Sequence, residues 1–389
     1  MKILMAHNRY QIQGGEDQSF DSESSLLERY GNTIIRYIKH NDSISESSIF
    51  KVAIRTLWSF EDYDKIRALI QVEKPDLVHV QNNFPLISPA VYYAAKNENI
   101  PVIQTLRNYR LFCLNAYFFR QGKVCEDCLE QPIPLSGIQH KCYRDSRAGS
   151  TVVSSSIALH RLLKTYIRKV DLFIALTEFA KQKYAENGIP EHKIVLKSNF
   201  VDPDPAMGEG AGSFVLFVGR LSPEKGVSIL LQAWESLGNQ IPLRIIGNGP
   251  LETEVKKAVS KSSGIKYLGA LPIQEVQNIM GQAKALVFPS LWYEGMPRVI
   301  IEAFAKGTPV ISSKLGAMTT MVTHQKTGLH FRAGDVEDLI RTINWMLSHD
   351  IQWKKMRLFA RQQFEMTYNA ESSYLRLIEI YQQALSITR

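Results

Sequence analysis

The chain has 389 residues, enough for two domains of ordinary size. Hydrophobic residues make up 45% and charged residues 22%, the composition of a soluble globular protein, and no apolar run approaches the roughly 18 residues a membrane span needs. The net charge of +8, from 46 basic and 38 acidic residues, favours anionic partners such as nucleotides or phospholipid surfaces. Nucleic acid is set aside, because there is no zinc finger, RNA-binding signature or basic tail. The opening Met-Lys-Ile-Leu-Met-Ala-His is too soon interrupted for a secretory signal, so the chain is expected in the cytoplasm.

Residues 2–7 read as a buried strand, Gln13-Gly14-Gly15-Glu16 as a turn, and 17–29 as a helix. Strand, glycine turn, helix is how a nucleotide-type α/β unit opens. The Gly-x-Gly-x-x-Gly fingerprint is absent, so a dinucleotide is not implied. Residues 42–48 are polar and read as a loop. Residues 76–80 and 101–106 read as further buried strands. All four cysteines, Cys113, Cys125, Cys128 and Cys142, follow in one insert. Their spacing allows a structural zinc site. Buried or merely reduced thiols are the alternative, and a disulfide framework is not expected in the cytoplasm. The insert is rich in aromatic and basic side chains, including Tyr117, Phe118, Phe119, Arg120, Tyr143 and Arg144. It suits either part of a binding cleft or a loop packed on itself. Residues 159–170 read as a helix with apolar Leu162, Leu163, Tyr166 and Ile167 beside basic Arg161, Lys164, Arg168 and Lys169. A basic face is commonly just solvated; contact with an anionic membrane is the other reading. Residues 171–176 and 194–196 read as strands, with Thr177 capping the helix between them.

Residues 202–212 hold Pro203, Pro205, Gly208, Gly210 and Gly212 without periodicity and read as a linker. It divides the chain into α/β domains at 1–200 and 213–368. Residues 214–218 read as a strand, followed by the loop Gly219-Arg220-Leu221-Ser222-Pro223-Glu224-Lys225-Gly226. Two cations on a short loop at the C-terminal end of a strand can neutralise a diphosphate. Residues 243–246 lead to Gly247-Asn248-Gly249-Pro250, whose glycines let a ligand approach the backbone, and 265–269 read as a strand end. Ala285-Leu286-Val287-Phe288 then feeds into Pro-Ser-Leu-Trp-Tyr-Glu-Gly-Met-Pro-Arg-Val-Ile-Ile-Glu. Pro297 fits the first position of a helix and Gly307 its C-cap. Glu294 therefore lies just before a helix N-terminus, where unpaired amides attract phosphate, and Glu302 lies inside the helix. Arg298 and Glu302, four apart, equally fit a helix-surface ion pair.

The order Glu294-Gly295-Met296-Pro297 with Glu302 resembles the Glu-x7-Glu motif of retaining, GT-B-fold glycosyltransferases of family 4. Thr308-Pro309-Val310-Ile311 and the 219–226 loop extend the resemblance, which is densest from 214 to 335. It implies two Rossmann-like, doubly wound domains facing a central cleft, with a terminal helix at 371–389 packing back on the first. The implied activity is transfer of a hexose from a nucleotide sugar, UDP-glucose first, to a saccharide or lipid-linked acceptor in polysaccharide assembly. It implies retention of configuration and no cofactor for catalysis; any zinc would be structural. By the same resemblance Arg220 and Lys225 stabilise the leaving diphosphate, Glu294 holds sugar hydroxyls and Glu302 the ribose. Gly219, Gly247, Gly295, Met296, Pro297 and the amides near Arg298 and Val299 line the donor, and the backbone at Leu268 meets the base. Gly14 and Gly15 approach the donor from the first domain, which binds the acceptor, peripherally at the inner membrane face if that acceptor is a lipid. Relatives often place a histidine that approaches the donor sugar where Arg107 stands before Asn108-Tyr109. An arginine there stays protonated, so it can hold a ligand but not act as a base. A nucleotide-sugar epimerase of the same fold and a non-catalytic nucleotide-sugar binder are the rival readings.

Overall fold

The computed structural model describes residues 1–11, 14–44 and 49–388. Gln13 of the glycine turn and residues 45–48 of the polar loop lie outside them. The chain forms two compact units. The first comprises Met1–Phe118, Cys125–Ser198 and Ser373–Arg389; the second comprises Phe119–Val124 and Asn199–Ser372.

The first unit is built on six strands: β1 (Lys2–Arg9), β2 (Thr33–His40), β3 (Leu77–Asn82), β4 (Val102–Leu106), β7 (Leu172–Ala175) and β8 (Ile194–Leu196); the two-residue strands β5 (Phe119–Arg120) and β6 (Lys123–Val124) pair with each other and belong to the second unit. Their order is β2-β1-β3-β4-β7-β8 and every pair is parallel. β3 and β4 are buried along their whole length, as expected of a parallel sheet covered on both faces. The order reverses between β1 and β3, so the loops after those strands open a crevice at the carboxyl edge. The glycine turn leads into a helix at Gly15–Arg29. The terminal helix, Ala370–Thr388, buries Leu377, Ile380, Tyr381 and Ala384 against Ile3, Met5, Phe20 and Leu77. At about 1.5–3 kcal/mol for each large apolar side chain, this contact makes the helix part of the first unit's core.

Two expectations for this half need correction. Residues 159–170 are not one helix. A helix runs over Arg147–Leu162, started by the Ser146 side chain accepting from Gly149 N–H; Lys164 then turns left-handed, and a short helix follows at Thr165–Lys169. Leu162, Leu163 and Ile167 on these helices are 80%, 44% and 37% exposed. The loop expected from Asp42 onward begins as a 3-10 turn, Asn41–Ile44.

The second unit repeats the design with β9 (Val215–Val218), β10 (Leu243–Ile246), β11 (Ile265–Tyr267), β12 (Ala285–Phe288), β13 (Val310–Ser313) and β14 (Gly328–Phe331). The order is β11-β10-β9-β12-β13-β14, again parallel, with the reversal between β9 and β12. Trp234 and Trp353 anchor its core. Residues 202–212 carry no regular structure, yet they are not a free tether. Gly208, Gly210 and Gly212 donate backbone N–H bonds to the carbonyls of Lys306, Gly281 and Gln282. A Cβ at Gly208 would stand 2.3 Å from the Gly281 backbone, so these glycines are spaced for close packing rather than for flexibility.

Candidate active site

In the second unit, both motif-bearing loops leave the two strands that flank the reversal of strand order. The 219–226 loop follows β9 and the 289–297 loop follows β12. They are locked to each other through backbone. Leu291 N–H donates to the Glu224 carbonyl at 2.8 Å and Ser290 Oγ to the same carbonyl at 3.3 Å. Gly226 is left-handed, with φ of 72°, and a Cβ there would lie 1.9 Å from the Pro289 carbonyl oxygen. Only glycine lets these two loops approach so closely. Gly247 does the same for β9 and β10: its φ is 135° and a Cβ would sit 1.9 Å from the Gly219 carbonyl oxygen.

The chemistry gathers at Glu294, which is 5% exposed. Its Oε1 accepts three bonds, each of 2.7 Å, from Lys225 Nζ, Ser290 Oγ and Trp292 Nε1. Three donors on one oxygen fix the carboxylate plane and leave Oε2 as the atom to meet a ligand. Lys225 is also held over the Trp292 ring at 5.2 Å and the Phe288 ring at 5.6 Å, where the ring faces attract a cation. The Arg220 side chain is exposed and has no hydrogen-bonding or ion-pairing partner among the described residues. Gly295 is half-buried and Met296 buried, with the Met296 sulfur accepting from Asn199 N–H. Pro297 takes the cap position, one residue outside the helix Arg298–Ala305, so Arg298 and Val299 hold its first turn. Their N–H groups have no partner within the helix.

The Arg298–Glu302 contact is not a surface ion pair. The two side chains are 19% and 14% exposed, and Nε stands 3.8 Å from Oε1, too far for a hydrogen bond. Burial raises the Glu302 carboxyl above its ordinary range, with Arg298 offsetting only part of that. At Leu268 the expected base contact narrows. Its N–H is already given to Ile245 O at 2.9 Å, so its carbonyl is what it can offer.

In the first unit Gly14 caps the helix Gly15–Arg29, its N–H donating to Asp17 Oδ2 at 3.1 Å. Its φ of −124° suits any residue, and the space a Cβ would fill is open. Neither strain nor crowding inside the chain requires glycine there. His7 Nε2 lies 2.7 Å from Asp17 Oδ1, both side chains fully buried. Burial opposes the Asp17 carboxylate, but His7 and Gly14 N–H outweigh it and hold the group below its ordinary range.

Arg107 is 7% exposed and belongs to a buried network that pattern reading did not find. Arg107 Nε donates to Gln81 Oε1 at 2.7 Å, and Gln81 Nε2 donates to Glu23 Oε1. Glu23 Oε2 takes Lys197 Nζ at 2.6 Å. His79 bonds Tyr381 OH and Thr105 Oγ1, each at 2.8 Å, and lies 3.7 Å from Glu23. One signal was available. Phe20, Glu23 and Leu27 fall on one stripe of the helix, which places Glu23 among core positions.

Burial would raise the Glu23 carboxyl, but the charge of Lys197, with Arg107 behind it, holds it down at about 2. Burial lowers the His79 imidazole to about 4. Both shifts act in one direction. Between pH 6.5 and 4 the unfolded chain takes a proton on His79 that the folded chain refuses. Between about pH 4.5 and 2 the same holds for Glu23. In each window stability falls as pH falls, by up to about 3 kcal/mol at 1.36 kcal/mol per unit. The urea midpoint should therefore drop between pH 6.5 and 4, and the drop should be smaller in His79→Gln. Equal pH slopes in the two proteins would show that His79 is not the group responsible.

The four cysteines whose spacing allows a zinc site lie near one another, with the thiols of Cys113, Cys142 and Cys125 all acting on Cys128. Among the described residues no group of three or more His, Cys, Asp or Glu is placed to hold a metal, and the four cysteines are unbridged. Cys113 Sγ donates to Asn115 Oδ1 at 3.0 Å. Cys128 packs with Leu114, Val153 and Ile157, next to Ile138, Cys142 and Tyr143. Burial, with the neighbouring thiols adding to it, pushes the Cys128 thiol up to about 12. A bound cation would act the other way, since a coordinating thiol is deprotonated outright. The insert packs on the helix Arg147–Leu162 through these contacts.

Two α/β units, each with loops opening at its strand-order reversal, define the class of doubly wound folds that bind ligands at such a crevice. Comparison with known proteins names it. Residues 209–363 match the model of glycosyl transferases group 1, and residues 45–205 match that of glycosyltransferase family 4. The chain belongs to the family 4 glycosyltransferases and has the GT-B fold. It is 25% identical over 229 residues to the amylovoran biosynthesis glycosyltransferase AmsK of Erwinia amylovora, a match covering 55% of this chain and 56% of that one. It is 25% identical over 290 residues to the O-antigen chain mannosyltransferase C of Escherichia coli, covering 68% and 77%. The matched stretch thus spans between about half and two thirds of the length of the first curated relatives, AmsK among them. The structure of Anabaena HepE in complex with UDP-glucose superposes with a TM-score of 0.68 at 15% identity, covering 98% of this chain and 100% of that one.

Proposed function

We propose that this glycosyltransferase moves a hexose from a nucleotide sugar, with UDP-glucose the favoured donor, to a saccharide or lipid-linked oligosaccharide during polysaccharide assembly. The reaction proceeds with retention and without a catalytic metal. The observation that carries this reading is the Glu294 cluster. A buried carboxylate is fixed by three donors, one of them a lysine from the loop that also bears the exposed Arg220, and all lie beside a helix N-terminus. In this reading Arg220, Lys225 and the first helical amides take the diphosphate as the glycosidic bond lengthens, and charge builds on the leaving oxygen. Glu294 Oε2 holds sugar hydroxyls, Glu302 the ribose and the Leu268 carbonyl the base. The open space above Gly14 suits approach of a donor to an uncovered helix start. Arg107 positions ligand and does no acid–base work. The relatives' names support a polysaccharide acceptor, and the HepE complex supports UDP-glucose.

Membrane contact belongs to the same proposal. Phe50 and Ile54, 83% and 57% exposed, stand on the helix Ile49–Leu57. Its C-terminal end meets the helix carrying exposed Leu162: His160 Nε2 bonds Leu57 O at 2.9 Å and Ser156 Oγ donates to Thr56 O at 3.1 Å. Exposed apolar side chains beside Lys164, Arg168 and Lys169 suit an anionic leaflet. No described helix is long and apolar enough to cross a membrane.

The test is release of UDP from a panel of nucleotide sugars in EDTA. Slow hydrolysis to free sugar and UDP, largest with UDP-glucose, is expected. A new nucleotide sugar would mean an epimerase, no turnover a binder, and loss restored by magnesium a metal-dependent mechanism. Calorimetry separates the two glutamates. Glu302→Ala should weaken UDP by about 1.5–3 kcal/mol, the scale for a hydrogen bond to a charged group. Glu294→Ala should weaken UDP-glucose far more than UDP. Equal losses for both ligands in Glu294→Ala would remove it from the sugar.

A further inference from the structure

The first unit contains a pocket that the donor chemistry does not use. It opens where the chain leaves β3 and β4 and runs toward the helix Arg147–Leu162. Arg107, Arg110, Asn83, Gln104 and Tyr92 supply polar atoms, and Phe84, Leu111 and Ile157 are among its apolar walls. Its cavity is about 60 Å³, space for roughly four to six waters by that measure, or for one small oxyanion.

The lining contains two arginines and no carboxylate. Each arginine donates to a neutral acceptor, and Arg107 also feels the Glu23 carboxylate behind Gln81. Gln81 Oε1 accepts from Arg107, and the Leu114 carbonyl accepts from Arg110 Nη1. The Arg110 guanidinium also lies 4.4 Å from the Phe84 ring centre and 5.4 Å from that of Tyr143. A guanidinium packed on aromatic rings is held in place while its remaining N–H groups stay available. Two carboxylates bond to lining residues from outside the lining, and both are taken. Glu23 is held by Lys197 and Gln81; Glu16 by Tyr10 OH and Asn108 Nδ2, each at 3.0 Å. Most lining amides and hydroxyls are likewise engaged: Tyr92 OH donates to Gln104 Oε1, and Gln104 Nε2 to Thr105 O. The Asn83 side chain has no hydrogen-bonding partner among the described residues.

We propose that this pocket binds an oxyanion carried by the acceptor, with Arg107, Arg110 and Asn83 as its donors. The shared chemistry is a phosphate or a carboxylate, from a lipid-linked acceptor or from an acidic sugar. Two planar guanidinium groups match either one, since both present paired oxygens. The apolar walls accommodate the part of the acceptor next to the charge. This assignment rests on the reading that the first unit receives the acceptor.

The test uses the full chain with saturating UDP, so that the phosphate-binding loop of the second unit is already filled. Methyl phosphate, methyl glucuronide and, as the neutral control, methyl glucoside are titrated by calorimetry and thermal shift. One of the two anions should bind saturably and the glucoside should not. Arg110→Gln should weaken that anion by 10-fold or more, Asn83→Ala by a few-fold, and Arg110→Lys should recover part of the loss. The urea transition that UDP does not shift reports that the first unit of the variant has folded. Binding of methyl phosphate assigns a phosphorylated acceptor, and binding of methyl glucuronide an acidic sugar. Failure of both anions while UDP binds, or anion affinity indifferent to Arg110→Gln, would overturn the pocket. Failure of UDP itself would overturn the donor reading instead.

Discussion

Lys225→Ala and Arg220→Ala should each lower turnover by about 100-fold or more, the scale for removing one preorganised donor to developing charge. The two losses should differ in kind. The Arg220 side chain is exposed and makes no ion pair or hydrogen bond among the described residues, so truncating it removes no contact among them. The effect should fall on kcat, with folding stability unchanged. Lys225 is bonded to Glu294 Oε1 and stacked over two rings. Removing it strips one of three donors from a carboxylate that is 5% exposed. Lys225→Ala should therefore also weaken the sugar contact made through Glu294, raising KM for UDP-glucose more than the inhibition constant of UDP. Steady-state kinetics with UDP as competitor reads both. Turnover within a few-fold of wild type in both variants would remove the diphosphate assignment.

What could be read in advance follows from how local each feature is. The two loops of the second unit are contiguous stretches. Each begins at the end of an apolar strand and carries its own charges, so strand, loop and helix were legible together from 214 to 307. The first unit's buried network could not be read that way. Glu23 and Lys197 are 174 residues apart, Glu23 and Gln81 are 58 apart, and Gln81 and Arg107 are 26 apart. Only the parallel packing of β1, β3, β4 and β8 brings them to one carboxyl edge. Trp292 as a donor to Glu294 was missed for a different reason: an aromatic beside a motif carries no periodic signal. The helix expected at 159–170 is interrupted because the apolar and basic pattern carries no sign of the left-handed turn at Lys164. Leu162 and Leu163 precede a left-handed Lys164, and that break turns them outward.

Glu23→Gln should destabilise the protein more than Lys197→Met, although the two side chains form one ion pair. Breaking a buried pair by removing one partner costs about 3–5 kcal/mol, because the other charge is left in a poor solvent. The network makes the two removals unequal. Glu23 faces Lys197 directly and Arg107 through Gln81. Without Glu23, two buried cations face each other with no anion between them. Without Lys197, Arg107 still stands opposite Glu23, and Gln81 still donates to it. The larger loss is expected in Glu23→Gln, near the upper end of that range, and the smaller in Lys197→Met. Glu23→Gln should also loosen Arg107, because the amide of Gln81 loses the acceptor that sets its orientation. Acceptor-side affinity should thus fall with stability, while UDP affinity is retained. Urea denaturation in the presence of UDP, followed by far-UV circular dichroism, provides the stability comparison; two units can unfold in separate steps, so the transition that UDP does not shift is the one to compare. A greater loss in Lys197→Met would mean that Arg107 does not sense Glu23, and that the network is a simple pair.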